Sequence, residues 1–356
     1  MNSRTTKFLS YYKPYLGWLL ADIACAFIVS AMTLLLPLGT RYITQTVLAS
    51  NSPNALNQIY LMGMVMLSLV LVHTICNTFV DYQGHMMGAH MESDMRNELF
   101  AHYHSLSFSF YDEQKTGQLM TRLTNDLFWL SELYHHGPED LSIAFLKGIG
   151  VFVILININI SLTVIIFLFL PIMALYAFYF NIKLNRALKT SKDRIGDINA
   201  QVEESLAGIR VVKSFTNDAI EQQKFAHENQ RFVDSRRDGY RSEAYFYGGM
   251  TAFTELMTIG IIILGSVAIV QGALDLPDLL TYLLCVGILI DPIQRLVNFA
   301  RLYQEGITGF SRFMEMLEVQ PTIQDAPDAI TLTQVQGKIE FRNVSFGYKT
   351  DYNDVL

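Results

Sequence analysis

The chain has 356 residues, of which 51% are hydrophobic and 17% are charged, and its mean hydropathy is +0.26. Soluble domains carry about a quarter charged residues, so this composition excludes an ordinary soluble domain and indicates a polytopic membrane protein. The formal net charge is −7, but no block of like charge indicates nucleic-acid binding. Cys25, Cys76 and Cys285 lie far apart in apolar runs, which predicts buried, inert thiols rather than metal ligands.

Six apolar stretches are long enough to cross a bilayer, which takes about 20 residues. The predicted spans cover residues 16–43, 56–80, 139–157, 160–182, 244–271 and 278–303. The first is too long for a signal-peptide core and no small-residue cleavage pattern follows it, so we expect it to be retained. Residues 1–15 precede it and predict an interfacial elbow with a short surface helix ahead of Pro14.

The positions of Lys and Arg predict the orientation, because positive charge stays on the cytoplasmic side. Arg4, Lys7 and Lys13 lie before the first span, and basic residues recur after the second and fourth spans. The links 44–55, 157–161 and 271–278 carry none. We therefore expect a multi-pass protein of the cell (plasma) membrane with both termini in the cytoplasm.

Two long segments are predicted on the inner side, after the second and fourth spans. In the second of them, apolar residues recur at three- and four-residue steps, as a helix requires: Ile195, Ile198, Val202, Leu206, Ile209 and Val212. Proline is absent from 172 to 276, so spans four and five are expected to continue as helices about 35–40 Å into the cytoplasm. Length and periodicity fit equally a folded intracellular cap and a pair of rigid helical rods that transmit movement.

The C-terminal part changes character. Residues 305–319 continue the sixth helix as an amphipathic run, and 320–336 read as a linker rich in Pro, Asp and Gln. From 337 to 356 the apolar residues alternate, with a bulge expected at Arg342–Asn343, which predicts a half-buried β-strand. A single strand is not a domain, so the chain is expected to be cut a few residues into a second, soluble domain.

Three local sequences resemble one family. They are FSFYDEQKTGQLMTRLTND (108–126), EESLAGIRVVKSF (203–215) and the strand IEFRNVSFGY (339–348). Together with six spans and two long inner hairpins they are similar to the transmembrane half of an ATP-binding-cassette (ABC) exporter of the bacterial multidrug and lipid-flippase type. The resemblance implies an all-α fold for residues 16–319, six transmembrane helices with two cytoplasmic helical hairpins, followed by the truncated β start of a nucleotide-binding domain.

The resemblance also implies coupling residues. In this family a short cross-wise helix at the base of each inner hairpin docks onto a nucleotide-binding domain. The matching positions here are Thr116, Gly117 and Gln118 in the first hairpin and Gly208, Ile209, Arg210, Val211, Val212 and Lys213 in the second. Glycine would let the chain turn sharply there, and apolar Ile and Val would enter a groove. The alternative is packing inside the hairpin.

Tyr348 matches the aromatic residue that stacks on adenine in the family; otherwise it is an ordinary strand residue. No GxxxxGK[ST] phosphate loop occurs in these residues. We therefore expect ATP and Mg²⁺ to be bound by the full-length protein, an ATP-hydrolysing translocase, and no ATPase activity from this stretch alone, which holds no catalytic residue.

Two acidic residues within predicted spans are candidates for the substrate cavity, because charges inside a membrane usually face an interior. Glu255 lies in span five, and the alternative is a buried partner for a polar group on a neighbouring helix. Asp291 precedes Pro292 in span six, and the alternative is a local pair with Arg295. His85, His90, His102 and His104 do not share one helical face with carboxylates, so no metal site is predicted.

These features predict one transmembrane half of an ATP-driven exporter. Two halves, identical or not, are expected to pair, and lipophilic substrates (drugs, lipids or peptides) to move outward by alternating access. Membrane lipids are expected partners and nucleic acid is not. The rival hypotheses are a six-span channel or secondary carrier, and a non-transporting regulator on the same scaffold.

Overall fold

The computed structural model describes residues 3–50, 53–326, 328–331, 333 and 335–345. Within them, ten α-helices follow one another: α1 Ser3–Ser10, α2 Leu16–Tyr42, α3 Ala55–Ser105, α4 Phe108–Glu113, α5 Thr116–Thr121, α6 Leu127–Ile156, α7 Ile160–Ala207, α8 Ile209–Ser214, α9 Asp218–Val270 and α10 Leu276–Leu317. A 3₁₀ turn at Lys13–Tyr15 joins α1 to α2, and π-helical turns occupy Ile43–Val47 and Arg122–Asp126. The described chain is thus nearly all helical, as predicted.

Five stretches in the described residues are long and apolar enough to cross a membrane: Arg4–Val47, α3, α7, α9 and α10. They make this a multi-pass membrane protein. The predicted third span lies in α6, which is not among the five because Glu139, Asp140 and Lys147 interrupt its apolar run. Six spans therefore remain a prediction.

Three helices are much longer than a bilayer is thick. α3 has 51 residues, α7 has 48 and α9 has 53, which correspond to about 70–80 Å each, against about 30 Å of hydrocarbon. This confirms that the inner segments are helical continuations of the spans. Nothing in the sequence stops these helices, since the only internal proline among the three is Pro171 in α7.

The buried side chains form two main cores. One lies between α6, α7, α9 and α10 and includes Tyr282 and Cys285. The other joins α1, α3, α5, α6 and α10 around Tyr134 and Phe313. All three cysteines are free thiols; Cys285 is buried, as predicted, while Cys25 and Cys76 are only partly buried.

The second core fixes the N-terminal elbow. The hydroxyl of Tyr12 donates to the Tyr134 carbonyl (2.8 Å), and the hydroxyl of Tyr134 donates to the Phe8 carbonyl (2.9 Å). Arg4 bonds Glu318 just past the end of α10, with Nε 2.8 Å from Oε1. This hydrogen bond lowers the pKa of Glu318. The elbow therefore contacts both α6 and the end of α10.

The predicted C-terminal strand is not formed in the residues described, 335–345, which have irregular backbone. Ile339 and Phe341, the predicted buried face, are 81% and 80% exposed. A strand needs a neighbour to bond its backbone and cover its apolar face, and no described residue supplies one. Phe346 and Tyr348 lie outside the described residues.

Candidate coupling surface and intramembrane charges

The tip of the second inner hairpin is a tight three-part turn. α7 ends at Ala207, the six-residue α8 follows from Ile209 to Ser214, and α9 begins at Asp218. Ser205 and Gln201 of α7 both bond Glu221 of α9. Lys213 pairs with Asp218 at 2.6 Å. These contacts hold the two long helices and α8 together as one end piece.

Gly208 separates α7 from α8. Its φ of −88° and ψ of 9° lie in a region that is sparsely populated but does not require glycine, and a Cβ there would lie 3.3 Å from the backbone oxygen of Glu204, closer than most real Cβ contacts. The left-handed residue is instead Thr216, at φ 55° between α8 and α9. The glycine in the first hairpin, Gly117, lies inside α5, and a Cβ there would meet no atom within 4 Å. The close Glu204 oxygen thus favours a glycine at position 208, whereas the described residues leave room for a side chain at Gly117.

The apolar side chains of this tip are largely uncovered. Ile209, Val211 and Phe215 are 40%, 61% and 73% exposed, whereas Val212 is half-buried against the hairpin. Arg210 and Lys213 are exposed beside them. Packing inside the hairpin thus accounts for Val212 but not for Val211, which the described residues leave 61% exposed.

The tip of the first inner segment has a similar exposed face. Thr116, Gly117 and Gln118 are all exposed at the start of α5, and Met120 is 61% exposed. Leu119 is buried and anchors α5 to the second core. The structure therefore presents both predicted coupling segments as short helices at the ends of long ones.

The two acidic candidates within the spans have different surroundings. Glu255 on α9 is exposed and makes no hydrogen bond or ion pair with a described residue. Asp291 on α10 pairs with Lys147 of α6 (2.7 Å) and with Arg295 (3.1 Å). Arg295 also contacts Asp140 and Glu139 of α6. The local Asp291–Arg295 pair is therefore present, as part of a network between two helices.

Residues 19–293 match the ABC transporter transmembrane region. This chain belongs to that family. The match covers most of the chain, from the first predicted span into α10, and includes both inner hairpins.

Curated relatives of this ABC transporter region are also named as ABC transporter or flippase proteins. The chain is 37% identical over 352 residues, 98% of its length, to YwjA of Bacillus subtilis, an uncharacterized ABC transporter ATP-binding protein. It is 22% identical over 353 residues to YgaD of the same organism, a putative multidrug export ATP-binding/permease protein. It is 24% identical over 285 residues to the ATP-dependent lipid A-core flippase of Syntrophus aciditrophicus.

The chain spans only part of these relatives. The aligned segment is 60% of YwjA, 61% of YgaD and 47% of the flippase, while it takes up 98%, 98% and 79% of the ABC transporter chain described here. The activity of a full-length protein that contains this region is therefore proposed below from the geometry and from the names of these relatives.

One cluster in the structure was missed by sequence reasoning. His85 of α3 lies beside His135 and His136 of α6, with ring centroids 4.7 Å and 5.0 Å away. Of the histidines considered from the sequence, His90, His102 and His104 are not in this group. The spacing of histidines along one helix does not predict this cluster, because its members lie on two different helices.

Proposed function

We propose that this chain is the transmembrane half of an ATP-driven exporter that moves lipophilic substrates outward by alternating access. The full-length protein would hold ATP and Mg²⁺ in nucleotide-binding domains and hydrolyse ATP there. The names of the relatives, which include ATP-binding, multidrug export and lipid A-core flippase proteins, support this reaction class. We propose six spans, with α6 as the third, in the cell membrane and with both termini in the cytoplasm.

The observation that carries the proposal is the exposed apolar tip at the far end of the second long hairpin, formed by Ile209, Val211 and Phe215. Residues 183–207 of α7 alone would reach about 37 Å beyond the predicted span. Isolated exposed apolar side chains are ordinary, but a group of them at the end of a rigid element marks an interaction site. We assign the residues from Gly208 to Lys213, with Thr116, Gly117 and Gln118, to docking on nucleotide-binding domains.

Pairing with a second half-transporter, identical or different, follows from the same geometry. α7 and α9 pack mainly against each other, and apolar side chains of their spans remain exposed, among them Leu168, Leu175, Ile259 and Ile263. Lipid covers part of this surface, and the second half-transporter covers the rest. Tyr348, outside the described residues, is proposed to stack on adenine, since an aromatic face binds a base by about 1–3 kcal/mol.

The cycle needs differential binding. ATP can shift the transporter between inward- and outward-open states only by binding more tightly to one of them, here the state in which the two nucleotide-binding domains are closed. Movement of the domains would be carried by the hairpin tips to the spans. Glu255, which has no described partner, is the better candidate for substrate contact; Asp291 would contribute through its network with Lys147 and Arg295.

Val211→Asp in the full-length protein tests the coupling assignment. A charge at this tip would prevent its entry into an apolar groove, so ATP-driven accumulation of a lipophilic fluorescent dye in proteoliposomes should fall at least about tenfold, equivalent to about 1.4 kcal/mol. ATP hydrolysis and thermal stability should persist, because the side chain is 61% exposed.

Val202→Asp is the matched control, because Val202 is also exposed but lies on the shaft of α7 rather than at its tip. Unchanged dye transport in Val211→Asp would refute the coupling role. Dye movement without ATP would favour a channel or carrier, and ATP binding without any transport would favour a regulator.

A further inference from the structure

Three imidazole rings meet where α3 packs against the first part of α6. One ring nitrogen from each of His85, His135 and His136 lies within 4.8 Å of the other two. In a filled tetrahedral zinc site with bonds of 2.0–2.1 Å, ligand nitrogens are about 3.4 Å apart. The three nitrogens, which lie within 4.8 Å of one another here, would move closer on binding by side-chain rotation.

The hydrogen bonds of two rings leave a nitrogen free to bind a metal. Nδ1 of His135 is 2.9 Å from the Ser131 carbonyl, and Nδ1 of His85 is 2.5 Å from the Asp81 carbonyl. Because a carbonyl only accepts, Nδ1 carries the hydrogen in each ring and Nε2 keeps its lone pair. Metal-binding histidines usually have their second nitrogen fixed in this way.

Burial makes the free nitrogen of His135 significant. His135 is 1% exposed, and its Nε2 atom is buried without a hydrogen-bond partner among the described residues. A buried polar atom that stays unsatisfied costs about 1–3 kcal/mol. A metal ion bound to this nitrogen would remove that cost.

The third ring, His136, has carboxylates on both sides. Its Nδ1 is 3.2 Å from an oxygen of Glu139, and its Nε2 is 3.8 Å from an oxygen of Glu132. A carboxylate on Nδ1 orients the ring and strengthens Nε2 as a ligand. Glu132 would be a neighbour of the bound ion.

A buried acidic group lies next to the cluster. Asp22 of α2 is 1% exposed, and neither carboxylate oxygen has a hydrogen-bond partner among the described residues. A Cβ at Gly84 would lie 3.4 Å from Asp22 Oδ1 and 3.9 Å from His135 Cδ2, so both side chains face the same point of α3. A divalent cation here would offset a buried negative charge that otherwise destabilises the site.

Glycine allows α3 to approach this closely. A Cβ at Gly88 would lie 2.6 Å from His135 Nδ1, a distance that no real Cβ contact tolerates. The absence of a side chain at Gly88 thus lets the His135 ring of α6 lie against α3, the helix that carries His85.

We propose that His85, His135 and His136 form a binding site for a divalent transition-metal ion of the zinc class, which ties α3 to α6 beside Asp22. Imidazole nitrogens favour zinc, copper, nickel and cobalt, whereas magnesium and calcium favour oxygen ligands. Three protein ligands leave a fourth position for water or a carboxylate. The site is separate from the hairpin tips and from the proposed substrate contact at Glu255.

The test uses the full-length protein, purified in detergent with a tag that contains no histidine and stripped of metal by a chelator. After incubation with Zn²⁺ and desalting, about one equivalent per chain should remain, measured by elemental mass spectrometry. Co²⁺ should give the visible absorption of tetrahedral coordination. Mg²⁺ should not be retained.

His85→Ala is the decisive variant, because His85 is exposed and its removal does not disturb the core. It should weaken Zn²⁺ binding at least about tenfold, remove the tetrahedral Co²⁺ spectrum and abolish any rise in melting temperature caused by Zn²⁺. His104→Ala, at an exposed histidine of the same helix outside the cluster, should bind like the wild type. Equal Zn²⁺ binding by wild type and His85→Ala, or none by the wild type, would overturn the proposal.

Discussion

The region around α1, α3, α6 and the end of α10 and the α7–α9 hairpin use their charged side chains differently. In the first region charges bond between elements: Lys7 to Glu98 at 2.6 Å, and Arg312 to Asp126 at 3.2 Å. In the hairpin most ion pairs join residues three apart on one helix, namely Arg194–Asp197, Lys224–Glu221, Arg231–Glu228, Arg237–Asp234 and Arg241–Asp238.

The difference shows how each region is held. Pairs within one helix contribute a few tenths of a kcal/mol to that helix and do not attach it to a neighbour. The first region is therefore fastened to the rest of the chain, while α7 and α9 depend mainly on each other. The apolar side chains that α7 and α9 leave exposed outside the core they share with α6 and α10 agree with the proposed pairing.

The largest expected effect separates the buried aromatic core from the exposed tip. Phe313→Ala should destabilise the protein by about 3–5 kcal/mol, because Phe313 is 1% exposed in the core that holds the elbow. Thermal unfolding of the purified full-length protein in detergent should show a clearly lower melting temperature. Phe215→Ala, at a position 73% exposed beside α8, is the control, and similar losses in both would contradict the comparison.

A smaller effect is expected where α10 meets α6. A Cβ at Gly309 would lie 2.5 Å from the backbone oxygen of Asp126, and backbone cannot move aside as a side chain can. Gly309→Ala should therefore cost about 1–3 kcal/mol and lower the melting temperature in the same assay.

Gly287→Ala in the same helix is the matched control. A Cβ there would meet no atom within 4 Å, so helix propensity alone should make the change neutral or stabilising by up to about 1 kcal/mol. If both variants change the melting temperature equally, α10 does not pack as closely against the Asp126 backbone as the structure shows.

The smallest expected effect is at the exposed ion pair of the elbow. Arg4 lowers the pKa of Glu318, so the pair stabilises the fold when Glu318 is ionised and this contribution is lost as pH falls through the lowered pKa. Arg4→Ala should slightly reduce the melting temperature at pH 7, and the difference from wild type should shrink below pH 4.5, the ordinary glutamate pKa, and vanish once the pH is below the lowered pKa.

Arg237→Ala removes a pair within α9 and serves as the control, since its partner Asp234 is on the same helix. It should change the melting temperature less than Arg4→Ala does, at every pH. An Arg4→Ala difference that persists unchanged in acid would mean that Glu318 is not the group responsible.

The long helices were predictable because their signals are local. Apolar residues recur with the helical period from 195 to 212, and no proline interrupts 172–276, so α7 and α9 continue past the membrane as expected. The state of the C-terminal segment was not predictable. Alternating apolar residues indicate which face a strand would bury, but they do not show whether another strand lies beside it. The described residues contain no such neighbour.

The candidate sites divide in the same way. The segments at α5 and α8 were located by sequence, since their residues are contiguous. The histidine cluster was not, because His85 and His135 are far apart in the chain and meet only when α3 packs on α6. The turn at Thr216 was also missed, because backbone strain at a residue other than glycine or asparagine leaves no mark in the sequence.

The hydrogen bond between Arg4 and Glu318 has a mechanical consequence. Glu318 is the first residue after α10, where the chain leaves the helical region for the segment that follows. A pull along that segment would act on α10 through the backbone and on the N-terminal elbow through this ion pair. Deleting the first few residues would remove this second attachment of the segment to the helices, and it would leave every spanning helix in place.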